Sequence, residues 1–333
     1  MKRNYSIDTL KLFFALSIAL GHYGLNTRSG IIVNCFFIMS GYYLVQSYDS
    51  AKYLDGFSYI KTRIKRIYPY YSISLIILIL TFTFEAFLNG NGISYFYSVI
   101  TSCLPEFMLI QNIGIFSGGI NYPLWQMCTL LIASYILFSL MCINKTLTAN
   151  VLSPLIAIMG STYFANAFET HDIEYWGLIG SFISAPLLRA FTGLCIGISL
   201  YNFLTSIVNY LEKKSSFFST MVSTFSIFYF GINCYLGNTF QSVISFVLVF
   251  ATFLCSNGVI SFTLNRNSFK SFEKLSLSIY VNHALIIIVS NFLTKNRVSD
   301  PIAICIYIVL LLVYSIIFMK IVDFLILKLT KQY

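Results

Sequence analysis

Residues 7–25 read IDTLKLFFALSIALGHYGL, a segment long and apolar enough to cross a membrane as a helix. It nevertheless contains Asp8, Lys11 and His22, and polar residues of this kind are costly in hydrocarbon and usually functional. Because a helix turns about 100° and rises about 1.5 Å per residue, Lys11 and His22 share one face about 16 Å apart. Asp8 lies one turn before Lys11, close to the same face. The first helix is therefore predicted to line a polar path through the membrane.

The rest of the chain has the composition of a multi-pass membrane protein. Of its 333 residues, 57% are hydrophobic and 10% are charged, whereas about 25% are charged in ordinary soluble domains. Apolar runs of about 17 to 25 residues give ten predicted spans: 7–25, 31–48, 68–88, 123–143, 150–168, 185–204, 218–236, 241–262, 276–294 and 302–327. We expect an all-α polytopic helical bundle, formed by a single membrane domain over residues 1–333 with no extra soluble domain.

The distribution of basic residues orients this bundle. With ten spans and a cytoplasmic N-terminus, sixteen Lys and Arg residues are placed on the inner side, counting Lys320 in the inner part of the last span, and only three on the outer side (Arg28, Lys295 and Arg297). Since cytoplasmic loops are enriched in Lys and Arg, both termini are predicted to be cytoplasmic. An eleventh crossing at 97–116, interrupted by Pro105, Glu106, Gln111 and Asn112, would reverse this asymmetry and is not predicted. Topology accounts for most of the net charge of +9, so no nucleic-acid partner is implied.

The densest group of charges precedes the third predicted span, in the sequence KTRIKRIYPYY at residues 61–71. Pro69 is predicted to occupy the first turn of that span. In a helix, Arg63 and Arg66 are neighbours three residues apart, and their guanidinium groups can bind phosphate oxygens bidentately. Lys65 adds a further positive charge. The same residues also suit a patch that binds anionic lipid headgroups, and both interpretations stay open at this point.

The predicted outer face has a different character. Its longest loops, 89–122 and 169–184, contain no Lys or Arg. The second loop carries Glu169, His171, Asp172 and Glu174. A neutral to acidic, amide-rich face suits a neutral polyhydroxylated ligand such as a sugar, whereas the cationic inner face suits a phosphorylated molecule or anionic lipid.

Three more polar residues lie in predicted spans, and each has a functional and a simpler interpretation. His22 is predicted to be a general base or proton relay, although it could only hydrogen-bond a neighbouring helix. Arg189, a few residues into the sixth span, could contact an acceptor molecule or extend toward the outer surface. His283, about two turns into the ninth span, fits packing and catalysis equally well.

Five short motifs occur in an order that resembles the membrane-bound acyltransferase-3 family of integral-membrane enzymes, which acylate cell-surface glycans and related acceptors. They are Ile7-Asp8-x-Leu10-Lys11 with His22, the stretch FFIMSGYYL at 36–44, Arg63-x-x-Arg66 with Pro69, Pro123-Leu124-Trp125, and Ser278-x-Tyr280 with His283. Their order over residues 7–283, more than any single motif, carries the resemblance. Two positions depart from the family pattern. Lys11 replaces the usual Arg and lacks its planar fork, and Gln126 with an apolar run follows Trp125 where many members have a Glu.

The resemblance implies an acyl-CoA donor, usually acetyl-CoA, bound from the cytoplasm, with the acyl group reaching an acceptor hydroxyl across the membrane. The predicted catalytic residues are His22, Lys11 and Asp8. The predicted donor-binding residues are Arg63, Arg66 and Lys65. The predicted substrate-binding residues are His283, Arg189 and Trp125. In this hypothesis His22 deprotonates the hydroxyl or relays the acyl group, while Asp8 and Lys11 hold the donor side of the path.

The predicted function is O-acetylation of a cell-surface polysaccharide or a lipid-linked glycan by a multi-pass protein of the bacterial cytoplasmic membrane. Its expected partners are acyl-CoA, the glycan or glycolipid acceptor and membrane lipids, and no metal is expected. A transporter or flippase for a lipid-linked sugar would also need a polar path, but not a cation cluster sized for CoA. A purely structural membrane protein would explain neither the aligned polar residues nor the order of the motifs.

Overall fold

The computed structural model describes residues 3–88, 90, 92–114, 116, 119–167, 177–179, 183–237, 239–294 and 299–330. Its helices are α1 (Tyr5–His22), α2 (Ser29–Asp49), α3 (Gly56–Leu88), α4 (Gly92–Phe107), α5 (Trp125–Leu147), α6 (Ser153–Ala167), α7 (Ala185–Ser199), α8 (Tyr201–Glu212), α9 (Ser216–Leu236), α10 (Thr239–Leu254), α11 (Val259–Leu264), α12 (Phe272–Thr294) and α13 (Asp300–Thr330). Short 3₁₀ or π turns lie at Tyr122–Leu124, Thr148–Leu152 and Asn267–Phe269. Strands β1 (Leu178–Ile179) and β2 (Ile183–Ser184) form a small antiparallel ladder. The outer-loop residues Glu169, His171, Asp172, Glu174, Lys295 and Arg297 lie outside the described residues.

The apolar helices make the chain an all-α, multi-pass membrane protein. Within the described residues, six helical segments are long and apolar enough to span a membrane, and the pair α7–α8, bent by 47°, makes a seventh if it is one span. The six are Ser29–Asp49, Gly56–Leu88, Tyr122–Asn166, Ser216–Leu236, Asn267–Thr294 and Asp300–Lys328. The count of ten spans and the cytoplasmic termini stay predictions.

The segment from Tyr122 to Asn166 is broken at Asn144. A straight helix of its 45 residues would be about 68 Å long, roughly twice the thickness of a membrane core. Asn144 has non-helical angles, with φ −153° and ψ 98°, and the Asn144 side chain accepts a hydrogen bond from the backbone N–H of Leu147 at 3.0 Å. The break separates α5 from α6.

The start of α3 corrects the prediction for Pro69. The helix begins at Gly56, so Pro69 lies inside it rather than in its first turn. A capping motif at Asp55 and Ser58 marks the true start of the helix. Asp55 Oδ1 accepts a hydrogen bond from the N–H of Ser58 at 2.7 Å, and Ser58 Oγ donates to the carbonyl of Asp55 at 2.9 Å. With 33 residues, α3 is about 50 Å long and exceeds a membrane core of about 30 Å. The basic cluster is therefore part of a helix and not of a loop.

Helices α2 and α7 pack closely enough to need glycine. An added Cβ at Gly41 would lie 2.0 Å from the carbonyl oxygen of Leu194, and one at Gly197 would lie 2.0 Å from that of Ile38. Small residues allow membrane helices to approach at backbone distance. This contact fixes the position of α7, which carries Arg189.

Helices α1 and α12 run side by side in the same direction. Arg3, just before α1, binds Glu273 in the first turn of α12. His22, the last residue of α1, contacts His283 in the middle of α12. The polar face predicted for α1 therefore meets α12 at both ends, and the contacts divide into an inner site around Glu273 and an outer site around His283. The words inner and outer follow the predicted orientation.

Candidate active site

The outer site is built around two stacked histidines. The rings of His22 and His283 have their centroids 5.2 Å apart with 21° between their planes. The ring of Tyr122 meets His22 edge-on at 5.1 Å. Tyr122 is 43% exposed and His283 is fully buried. The three rings thus lead from the protein surface to a buried imidazole.

The turn of α12 that carries His283 is held from several sides. The hydroxyl of Tyr280 donates to the carbonyl of Pro123. The carbonyl of Val281 accepts from Ser74 Oγ at 2.7 Å and from Asn121 Nδ2 at 3.0 Å. These bonds join α12 to α3 and to the turn before α5, so the ring of His283 projects from a fixed backbone.

The outer site also contains polar atoms that no described residue pairs with. His283 Nε2, Asn121 Oδ1 and Asn282 Oδ1 are buried and lack hydrogen-bond partners among the described residues. Leaving such a group unpaired costs about 1–3 kcal/mol, so each is a position where a bound molecule could gain a hydrogen bond.

Arg189 and Trp125, both predicted to bind substrate, lie together beside this site. Arg189 is buried, and its guanidinium lies over the ring of Trp125 at 5.5 Å. Its Nε donates to Asn34 Oδ1 at 2.7 Å, and one Nη donates to the carbonyl of Gly30 at 2.6 Å. Arg189 therefore joins α7 to α2 and α5. Its contact with substrate stays a prediction.

The inner site brings the predicted residues Asp8 and Lys11 together with two that sequence reasoning did not select. Asp8 Oδ2 lies 2.7 Å from the guanidinium of Arg3, whereas Lys11 Nζ is 4.0 Å from Asp8 Oδ1. Arg3 also binds Glu273 at 2.6 Å. The main partner of Asp8 is thus Arg3 and not Lys11.

The predicted donor-binding residues extend the inner site. Arg66 is largely exposed, and its Nη1 binds Glu273 Oε1 at 2.9 Å. The guanidinium of Arg63 lies over the ring of Tyr59 at 4.7 Å, and Lys65 is exposed. Glu273 thus bridges Arg66 of α3 and Arg3, which lies just before α1. The structure therefore places the basic cluster of α3 next to the charged start of α1.

Two carboxylates near these sites were not predicted to act there. Glu273 could have been recognised as an acidic residue beside Lys270 and Lys274 at the start of a predicted span, although its partners Arg3 and Arg66 are too distant in sequence to infer. Glu106 is fully buried at the end of α4, and its carboxylate accepts hydrogen bonds from the backbone N–H groups of Ile120 and Asn121, each at 3.0 Å. Glu106 thereby fixes the turn that leads to Tyr122 and to the outer site.

Comparison with known proteins identifies the family of the chain. Neither the curated proteins nor the solved structures contain a significant match to the chain. A family model described as an acyltransferase domain, of the acyltransferase-3 type, matches residues 4–320. The protein therefore belongs to the acyltransferase-3 family of membrane acyltransferases.

Proposed function

We propose that the protein transfers an acetyl group from cytoplasmic acetyl-CoA to a hydroxyl of a cell-surface polysaccharide or lipid-linked glycan. The observation that carries this proposal is the pairing of α1 with α12, which places cations at one end of a shared polar face and a histidine pair at the other. From Lys11 to His22 the distance along the helix is about 16 Å. A donor held at one end can thus deliver its acyl group toward the other.

The inner site suits the polyanionic part of CoA. Arg66 is 62% exposed at its side chain, so a phosphate can reach it from solution. Arg63 and Lys65 lie within one helical turn of Arg66 on α3. The planar guanidinium groups of Arg63 and Arg66 can each bind two phosphate oxygens. The lipid headgroup interpretation of the cluster shares this chemistry, but family membership favours an acyl donor.

The outer site suits an acceptor hydroxyl. Acyl transfer from a thioester breaks the C–S bond, forms a C–O bond, moves the hydroxyl proton to a base and leaves a thiolate that takes up a proton. A positioned histidine accelerates such proton transfers by about 10²–10⁴-fold. The pair of His22 and His283 supplies imidazole groups next to the exposed ring of Tyr122, which is the side from which a glycan would approach.

The proposal includes a location in a bacterial cytoplasmic membrane, between the cytoplasmic donor and the surface acceptor. Membership of an acyltransferase family favours this activity over the transport of a lipid-linked sugar. The two also differ in a simple measurement, because a transporter has no need to bind or consume acetyl-CoA.

The test is acetylation by intact cells. Cells that express the protein or its His22→Ala variant are fed with labelled acetate, and the acetyl esters on their surface glycans are measured by mass spectrometry. Loss of the esters in the variant is expected. Phe13→Ala, an exposed residue of the same helix, is the matched control and should retain them. Normal acetylation by His22→Ala at a normal protein level would contradict the proposal.

A further inference from the structure

We propose that His283 is a second catalytic residue, whose Nε2 takes the proton of the acceptor hydroxyl while His22 returns a proton to the departing thiolate. This inference rests on the proposed function and divides the acid and base steps between the two histidines. The role of base thereby moves from His22, which the sequence favours, to His283, for which the sequence fits packing and catalysis equally well.

His283 has a defined tautomer. Its Nδ1 lies 2.7 Å from the carbonyl oxygen of Tyr280. A carbonyl oxygen can only accept a hydrogen bond, so the proton of the neutral ring must be on Nδ1. Nε2 then carries a free lone pair. An imidazole with one nitrogen bonded to a carbonyl and the other nitrogen unprotonated is ready to act as a base.

This lone pair is unpaired within the part of the chain that the structure describes. His283 is fully buried, and its Nε2 lacks a hydrogen-bond partner among the described residues. Buried acceptors are nearly always paired, and an exception calls for an explanation. A hydroxyl donor on a bound acceptor molecule would satisfy Nε2 and would be the group to be deprotonated.

Hydrogen bonds hold the part of α12 that carries the His283 ring in place before any substrate binds. On the same turn of α12, Ser278 Oγ donates to the carbonyl of Ser315 at 2.8 Å, and Asn282 Nδ2 donates to the carbonyl of Ser278 at 2.8 Å. The hydroxyl of Tyr280 is bound to Pro123. With its geometry fixed in this way, His283 can take a proton from a bound hydroxyl without first reorganising.

His22 is placed differently, which suits the complementary step. It is the last residue of α1 and is partly exposed beside Tyr122. Because hydrogen bonds to imidazole form in the plane of the ring, stacked rings cannot bond to each other, and a proton does not pass directly between them. Both rings are therefore available to the reacting groups, with His283 neutral and His22 able to carry the proton for the thiolate.

In the resulting step, the hydroxyl oxygen attacks the thioester carbonyl and its proton moves to His283 Nε2. The C–S bond then breaks, and the thiolate takes a proton from protonated His22. The products are an ester and the free thiol of CoA. After the ester leaves, water that enters the acceptor position takes the proton from His283 Nε2, and water on the exposed side beside Tyr122 returns His22 to its protonated form.

The test uses two substitutions that separate the two nitrogens of His283. Asparagine places its amide where Nδ1 was, so His283→Asn keeps the donor to the carbonyl of Tyr280 and removes Nε2. His283→Gln places an amide near Nε2 but supplies no base. Membranes that contain the full-length protein are incubated with acetyl-labelled acetyl-CoA, and label in the glycan and glycolipid fractions is measured. Both variants are expected to transfer about 100-fold less than wild type.

Ser290→Ala, a buried position on the same helix, is the control and should transfer within about 3-fold of wild type. Thermal stability of each purified variant, with and without CoA, identifies those that fold and bind donor. Transfer by His283→Asn at more than about a third of the wild-type rate would overturn the role of Nε2 while leaving the proposed function intact. Absence of transfer by folded wild-type protein would instead overturn the proposed function, and this inference with it.

Discussion

The two ends of the α1–α12 pair satisfy their polar groups in opposite ways. At the inner site, Arg3, Lys11 and Arg66 pair with the two carboxylates of Asp8 and Glu273 within the protein, which leaves one positive charge in excess. At the outer site, His283 Nε2, Asn121 Oδ1 and Asn282 Oδ1 have no partner among the described residues. A phosphate that binds at the inner site must therefore compete with a carboxylate, whereas a hydroxyl that binds at the outer site can donate to an acceptor that no described residue pairs with.

Physical chemistry explains this difference. An isolated charge in a low-dielectric interior is far more costly than a neutral polar atom, so the buried carboxylate of Asp8 requires cations beside it. A neutral imidazole or amide can be left unpaired at a smaller cost. The inner site thus holds paired charges with a positive excess, whereas acceptor atoms of the outer site are left unpaired among the described residues.

The largest effect should come from the outer site, where the two histidines are expected to act as a unit. His22→Ala and His283→Asn should each reduce acetyl transfer by about 100-fold or more. Groups that serve the same transfer reaction as a unit are strongly non-additive, so the double variant should lose about as much as the worse single variant. The measurement is the initial rate of label transfer by membranes. Losses that multiply in the double variant would show that the two residues contribute independently and not as a unit.

The next largest effect concerns Arg66 at the inner site. A hydrogen bond to a charged group contributes about 1.5–3 kcal/mol, so Arg66→Ala should raise the KM for acetyl-CoA by about 10-fold or more at an unchanged kcat. Lys65→Ala, on the exposed side of the same helix, should change KM by less than about 3-fold. An unchanged KM for Arg66→Ala, with reduced binding to anionic vesicles, would favour the lipid patch over the donor site.

The sequence predicts the all-α class and much of the outer site, because both depend on local signals. Apolar runs identify the helices, and the spacing of Lys11 and His22 places their shared face. It does not predict that His22 and His283 stack, since they are 261 residues apart in the chain. That contact depends on which helices are neighbours, and hydropathy carries no information about it.

The inner site was harder to predict for two physical reasons. A proline and an apolar run predict a span that starts near Pro69, whereas the helix begins at Gly56, behind the cap formed by Asp55 and Ser58. Glu273 was missed because its partners come from other helices. The acyltransferase motifs locate the cations, but only the packed structure shows which carboxylate they bind.

A smaller effect should follow from removing the carboxylate that competes with phosphate. Glu273→Gln leaves a neutral amide beside Arg66, and the guanidinium becomes available to the donor. The KM for acetyl-CoA should fall by about 2- to 5-fold, which corresponds to the roughly 0–1 kcal/mol of an exposed ion pair. Asp323→Asn is the matched control, because Asp323 pairs with Lys274 at 2.7 Å on the same side of the bundle. A rise in KM would mean that Glu273 positions Arg66 instead of competing for it.

The smallest effect should come from the cap of α3, which holds the start of the helix that carries Arg63 and Arg66. The N–H of Ser58 donates to Asp55 and holds the pKa of this exposed carboxyl below its usual range. A lowered pKa means that the cap stabilises the folded helix above the unfolded pKa and that this contribution is lost as pH falls through the folded value. Asp55→Ala should therefore speed amide hydrogen exchange at residues 57–60 near neutral pH, and acidification should reduce the difference from wild type. Asp55→Asn keeps an acceptor oxygen and should show little change at either pH. Because Arg66 lies almost three turns further along, transfer should change by less than about 2-fold. A large loss of transfer in Asp55→Ala would show that the inner site depends on the whole extension of α3 and not on its ion pairs alone.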